Sequence, residues 1–224
     1  MGFRINKSIK YFASCVLEVI YGSGQECILC SDYAEDLLCN ACEKKVKYSI
    51  IEGKIEKFGE SMQYYSCSYY SSVVKELIIR LKYRSDFNSG TVLAQLMEQL
   101  VNEKLSQIEY AAYVPSSIDA LKKRGYNQSK FLCETVCKYA DKTMLDCLIK
   151  RDNTKDQIGL SGDARWNNLE NAFVVKNKSL IKGKTIILMD DVITTGATAF
   201  YCRKAMMEAG CTDVIVLTAA KSTV

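Results

Sequence analysis

The chain has 224 residues, 48% of them hydrophobic and 25% charged, the balance of an ordinary globular protein with one good core and room for a small appendage. Its net charge of +4 is compatible with phosphate-bearing ligands but too small to identify a nucleic-acid binder by itself. Histidine is absent, which removes the commonest general base and restricts any metal site to cysteine or oxygen ligands.

Residues 7–20 read as an amphipathic helix. Lys7 and Lys10 precede Y-F-A-S-C-V-L-E-V-I-Y, but the apolar part is too short for a secretion signal and Glu18 interrupts it. No run reaches the ~20 apolar residues of a membrane span. Two cysteine pairs follow, Cys27-x2-Cys30 and Cys39-x2-Cys42, with eight residues between them. That is the spacing of a tetrahedral all-cysteine zinc site; two disulfides or free thiols are the alternative. Four thiolates leave no open coordination position, so the metal expected here is structural. Asp32, Glu35 and Asp36 lie between the pairs and argue against a phosphate-gripping surface. The other cysteines, Cys15, Cys67, Cys133, Cys137, Cys147, Cys202 and Cys211, sit among apolar residues and read as reduced core residues. With an odd cysteine total and no secretion signal, a reducing, cytoplasmic location is expected.

After this knuckle, residues 63–70 have strand-like content, and residues 71–83 place Val74, Leu77, Ile78 and Leu81 at helical spacing. A second helix is expected over 90–105, a short strand over 110–115, a helix over 125–140 and a strand over 144–150. A polar loop spans 151–170. A strand at 172–175 precedes a buried strand at 185–190, a helix at 197–209 and a last strand at 213–220. Alternation of this kind predicts an α/β fold, a mostly parallel sheet flanked by helices, with ligands outside the carboxyl ends of the strands. The expected division is 1–50 for the helix and knuckle and 51–224 for the α/β domain.

The most informative stretch is L-M-D-D-V-I-T-T-G-A-T, Leu188–Thr198. Two acids, Asp190 and Asp191, end an apolar run, and a glycine with three threonines leads into a helix. Unpaired N–H groups at a helix start favour an anion, and Gly196 lets the main chain approach it closely. The carboxylates repel phosphate but accept hydrogen bonds, so they suit the vicinal hydroxyls of a ribose. A sugar phosphate satisfies both halves. An aspartate that merely caps the helix accounts for one acid, not two of them several residues upstream. Other nucleotide loops fail: Gly183-Lys184-Thr185 has Lys178 where the first glycine belongs, and Gly22 and Gly24 lead only to Cys27.

These residues carry a resemblance. Asp190-Asp191-Val192-Ile193-Thr194-Thr195-Gly196-Ala197-Thr198 resembles the phosphoribosyl-pyrophosphate (PRPP) signature of type I phosphoribosyltransferases. Together with L-K-Y-R-S-D-F (81–87), V-P (114–115), K-R-G-Y-N-Q-S (123–129), the polar segment at 151–161, Arg165, Asn168 and A-F (172–173), the chain is similar to the competence-associated ComF family over nearly its whole length.

The resemblance implies the type I phosphoribosyltransferase fold and a PRPP pocket in which Asp190 and Asp191 orient the ribose. It further implies Mg²⁺ bound with the pyrophosphate, and cations closing over that group. The candidates are Lys82, Arg84, Arg124, Arg151, Lys155 and Arg165, with Arg84, Arg124 and Arg165 favoured as catalytic. Thr194 stands where relatives acting on 6-oxopurines carry an acid, which disfavours that substrate class. Ser116-Ser117 stand where many ComF-like chains have histidine. The implied function is phosphoribosyl transfer from PRPP to an unknown acceptor, serving DNA uptake. The alternative is a non-catalytic adaptor of the competence machinery. Either implies single-stranded DNA and a helicase-like ATPase as partners.

Overall fold

In a computed structural model of the chain, the described residues are 25–151, 166 and 169–222. The helix expected over 7–20, Cys15, Lys155, Arg165 and Asn168 lie outside them. The chain divides into two units, Met1–Lys45 and Val46–Val224.

The described part of the first unit is small. Strands β1 (Gln25–Glu26) and β2 (Tyr33–Ala34) pair antiparallel, and a single helical turn, α1 (Asn40–Glu43), follows. Its apolar cluster consists of Cys27, Ala34 and Cys42, with Leu29, Leu38 and Cys39 against it. A core of that size cannot offset the entropy of ordering the segment.

The second unit is built on a six-stranded sheet. Its strands are β3 (Ile51–Lys57), β4 (Glu60–Ser66), β5 (Tyr110–Tyr113), β6 (Thr143–Met144), β9 (Thr185–Ile193) and β10 (Asp213–Lys221), in the order β3-β4-β10-β9-β5-β6. All neighbours are parallel except the β3–β4 hairpin. The helices are α2 (Ser72–Arg84), α3 (Phe87–Lys104), α4 (Ile118–Arg124), α5 (Gln128–Tyr139) and α6 (Ala197–Glu208). A separate antiparallel pair, β7 (Leu148–Lys150) with β8 (Phe173–Val175), completes the fold. This is the mostly parallel, helix-flanked sheet expected of a type I phosphoribosyltransferase.

Alternation along the central strands separates two apolar faces. Ile186 and Leu188 of β9 and Val214 and Val216 of β10 share a cluster with Phe200, Cys202 and Met206 of α6. Ile187, Met189 and Leu217, on the alternate positions, are also fully buried. A strand buried on both faces reads as a continuous apolar run, as T-I-I-L-M does. Cys67, Cys133, Cys137, Cys147, Cys202 and Cys211 are buried free thiols, as expected.

Several boundaries differ from the sequence expectation. The helix expected over 125–140 is α5 and starts only at Gln128, because Gly125 adopts φ 79° and ends a preceding helix, α4, that was not expected, and the Asn127 side chain caps α5. The strand expected over 144–150 is divided between β6 in the main sheet and β7 outside it. The strand content read at 63–70 belongs to a strand that starts at Glu60, because it is the second arm of a hairpin. Phe58 and Gly59, both with positive φ, make its turn. Most consequentially, β9 does not stop at Asp190. Val192 and Ile193 stay in register with Ala220 and Lys221 of β10, so both acids lie within the strand.

Candidate functional site

The carboxyl ends of four parallel strands converge on one cleft of about 620 Å³. Tyr70 follows β4, Val114–Ser117 follow β5, Asp190, Asp191 and Val192 are in β9, and Ser222 follows β10; all border the cleft. This is where open α/β sheets place ligands. A hydrogen bond from the Val114 N–H to the Met189 carbonyl (3.0 Å) and one from the Ser222 N–H to the Ile193 carbonyl (2.9 Å) tie the neighbouring segments to β9.

Consecutive strand residues point to opposite sides, so the two acids have separate surroundings. Asp190 is partly buried. Its Oδ1 accepts from the Ser129 hydroxyl at 2.6 Å and from the Asp191 N–H at 2.9 Å. Burial, and then the neighbouring charge of Asp191, push its carboxyl up to about 7; the Ser129 hydrogen bond and Lys82 oppose the rise. Asp191 is buried, with its Oδ1 accepting from the Val192 N–H at 2.8 Å and its Oδ2 2.6 Å from the Lys82 ammonium. Burial works against the charge on Lys82, but Asp191, and behind it Asp190, more than compensate and raise its pKa.

The raised pKa of Asp190 has a consequence for stability. Between about pH 4 and 7 the native carboxyl holds a proton that the unfolded chain has released. The folded state therefore loses stability as pH rises through that window. Asp190→Asn keeps an acceptor for Ser129 and removes the cost. We expect it to melt roughly 2–6 °C above the parent at pH 8, with the difference gone at pH 3.5, as measured by scanning calorimetry. An equal offset at both pH values would contradict the assignment.

Downstream of the acids, the chain turns through Thr194–Gly196 into α6. Gly196 is the N-cap residue, with φ 77°. The Thr195 hydroxyl accepts from the Ala197 N–H at 3.4 Å, and the first helical bond runs from the Phe200 N–H to the Gly196 carbonyl. Among the described residues, the amides of Thr194, Thr195 and Gly196 make no hydrogen bond. These residues line a recess of about 40 Å³ bounded by Asp190 and by residues 192–199. Bare amides at a helix start, next to a recess, are an arrangement able to receive an anion. A Cβ at position 196 would overlap Ile55 Cδ1 of β3, and a non-glycine residue at this φ costs about 1–2 kcal/mol. Gly196→Ala is therefore expected to weaken binding of a phosphate ligand at least about tenfold, measured by calorimetry. An unchanged affinity would show that the turn can relax without loss.

The expected cations are dispersed. Lys82 is in the cleft, engaged by Asp191. Arg124 and Lys123 border it, with the Arg124 Nη1 donating to Gln128 Oε1 at 2.8 Å and its guanidinium 5.5 Å from the Tyr83 ring centroid. Arg84 does not line the cleft; it is exposed, 3.8 Å from Glu76. Arg151 is exposed at the end of β7. Arg165 and Lys155 are outside the described residues. Sequence reasoning gave no role to Ser129, which binds Asp190, or to Lys150, which lines the cleft. The K-R-G-Y-N-Q-S motif contained Ser129, but nothing in the motif pairs it with an acid so distant in sequence.

In the first unit, the sulfurs of Cys27, Cys30, Cys39 and Cys42 all lie within 4.8 Å of one another, with Cys30 and Cys39 at 3.6 Å. A disulfide needs about 2.05 Å. Four sulfurs each about 2.3 Å from a central zinc would be about 3.8 Å apart. The cluster can hold a metal ion. Tight turns present the thiols: Cys42 and Glu43 N–H groups bond the Cys39 carbonyl, and the Ser31 N–H bonds the Cys27 carbonyl.

No family model matches the chain. It is 28% identical over 208 residues to Competence protein F of Haemophilus influenzae, covering 82% of this chain and 90% of that protein. It is 30% identical over 145 residues to Competence protein ComFC of Streptococcus pneumoniae, covering 65% of this chain and 62% of that one. Among solved structures, it resembles a glutamine PRPP amidotransferase from B. subtilis at 18% identity and a TM-score of 0.41, over 58% of this chain and about a quarter (26%) of that one. Among the described residues, no helix is long and apolar enough to cross a membrane.

Proposed function

The chain belongs to the ComF family of competence proteins, and on that premise we propose that it binds PRPP in the cleft at the end of β9 and transfers its phosphoribosyl group to a nitrogen acceptor in the service of DNA uptake. The observation that carries this reading is one juxtaposition. Two carboxylates border a cleft at the sheet's carboxyl edge, and a few residues on, three residues with unbonded amides line a small recess.

In this reading Asp190 and Asp191 accept hydrogen bonds from the ribose hydroxyls and set the sugar's orientation. Their negative charge stabilises the cationic character that develops at the ring as pyrophosphate leaves. The amides of Thr194–Gly196 hold the 5′-phosphate. Lys123 and Arg124 border the same cleft and face the leaving group. Mg²⁺, arriving with PRPP, supplies neutralisation of the pyrophosphate charge. The ion held by the four cysteines is zinc, in a structural role.

Because the Asp190 carboxyl is held up to about 7, it accepts from a hydroxyl best when ionised. PRPP affinity should rise as pH increases from 6 to 8, and a flat profile in titration calorimetry would contradict this role. The reaction itself is tested by screening pyrophosphate release from PRPP and Mg²⁺ over bases and amines. Release with one acceptor class supports transfer. Binding without release across the panel supports the non-catalytic adaptor instead, and a DNA role is probed by salt-dependent single-stranded DNA binding.

A further inference from the structure

The ion pair between Lys82 and Asp191 is asymmetric. At 2.6 Å it is a close charge-assisted contact, but the lysine side chain is 22% exposed and the aspartate 4%. The acid is fixed by its strand and by the bond to the Val192 N–H. The lysine stands on the cleft side, among the cleft's lining residues. Its main chain is anchored too. The Tyr126 hydroxyl donates to the Leu81 carbonyl, and α2 ends two residues after Lys82, at Arg84, with Ser85 as its cap at φ 53°. Only the four-carbon stem is free to move. The charged groups around its head are Asp191, Asp190 and, on the repulsive side, Arg124.

An ammonium in this position does two things. It neutralises a buried carboxylate that would otherwise be unpaired, a costly state. It also occupies Oδ2 of the carboxylate that is to accept from a ribose hydroxyl. A hydroxyl alone is a poor exchange for an ammonium, so the ligand must bring a better partner for the lysine.

We propose that Lys82 is a displaceable counter-ion: it sits on Asp191 in the free site and moves onto the ligand's pyrophosphate oxygens on binding, so that the acid is released to the sugar only when a pyrophosphate is present to take the lysine. This rests on the PRPP reading of the cleft. It makes Lys82 a specificity-determining residue that separates PRPP from ribose 5-phosphate, which has the same diol and 5′-phosphate but only a neutral hydroxyl at C1 in place of the pyrophosphate. A ligand shifts such an equilibrium only by its differential contacts with the two arrangements, and the C1 pyrophosphate is the group that differs.

The test uses the full chain and the variants Lys82→Met, Lys82→Arg and Lys82→Met/Asp191→Asn, with folding checked by thermal melting. Titration calorimetry compares PRPP with Mg²⁺ against ribose 5-phosphate. The parent should prefer PRPP by at least about 100-fold. Lys82→Met should shrink that preference below about tenfold, by weakening PRPP while ribose 5-phosphate holds or improves, and Lys82→Arg should retain most of it. Independently of PRPP, Mn²⁺ alone followed by electron paramagnetic resonance should stay free with the parent. It should bind Lys82→Met, where the acids have lost their counter-ion, and be lost again in the double variant. Equal weakening of both sugar phosphates, with no Mn²⁺ gained, would overturn the proposal and leave Lys82 a structural residue. If the parent binds PRPP and Lys82→Met matches it for both ligands, the transfer of the lysine is wrong while the PRPP reading stands. If the parent does not bind PRPP at all, that reading falls and the proposal falls with it.

Discussion

Asp190→Asn/Asp191→Asn is expected to lose PRPP binding by at least about 100-fold while the protein stays folded. A hydrogen bond to a charged group contributes about 1.5–3 kcal/mol, so two of them are worth two or more decades of affinity. The fold should survive because the substitutions act in opposite directions. At neutral pH, Asp190→Asn removes a carboxyl that burial and Asp191 hold in an unfavourable state. Asp191→Asn takes the counter-charge from Lys82, but that lysine is partly exposed and can turn to water. The amide oxygens still accept from Ser129 and from the neighbouring backbone N–H groups. Calorimetry against PRPP, with circular dichroism as the folding control, checks both halves. An unchanged affinity in a folded double variant would remove the acids from the site.

Metal loss should have a comparably large effect, confined to the cysteine module. Cys27→Ser or Cys42→Ser is expected to abolish stoichiometric zinc and to open residues 25–45 to proteolysis. Among the described residues, the module's apolar cluster is three buried residues with three more against it, three of the six being cysteines themselves. Structural zinc sites contribute about 10–16 kcal/mol in small peptides, far more than such a cluster can. Elemental analysis should give one zinc per parent chain and none in either variant, with chelation reproducing the proteolysis pattern. A metal-free parent with a protected segment would show that the four thiols need no ion.

What was legible in the sequence follows from how local each signal is. The four-cysteine spacing and the acids beside a glycine turn are local patterns that mark both places as candidates; the fold gathers the four sulfurs and sets the acids at the edge of a cleft. The α/β alternation was likewise readable, because β9 and β10 are apolar runs and the helices between carry period-3.6 faces. The β3–β4 hairpin went unread although Ile51, Gly53, Ile55 and Lys57 alternate with exposed residues. Its weak apolar content, and the backbone freedom needed at Phe58 and Gly59, hid it. The end of β9 was misplaced because acids look like strand terminators. Asp190 and Asp191 are tolerated in the strand because partners from α5 and α2, Ser129 and Lys82, meet them there. Those two contacts join residues far apart in the chain, and no single-sequence pattern announces them. They convert a generic acid pair into one partly protonated group and one ion-paired group.

The most direct measurement is a crystal structure of the chain soaked with PRPP and Mg²⁺. The ribose hydroxyls should lie within hydrogen-bond distance of the Asp190 and Asp191 carboxylates, the 5′-phosphate on the amides of Thr194, Thr195 and Gly196, and Lys82 should have moved from Asp191 to the pyrophosphate. A sugar phosphate bound elsewhere, or a well-ordered cleft that stays without ligand at saturating PRPP, would contradict this placement.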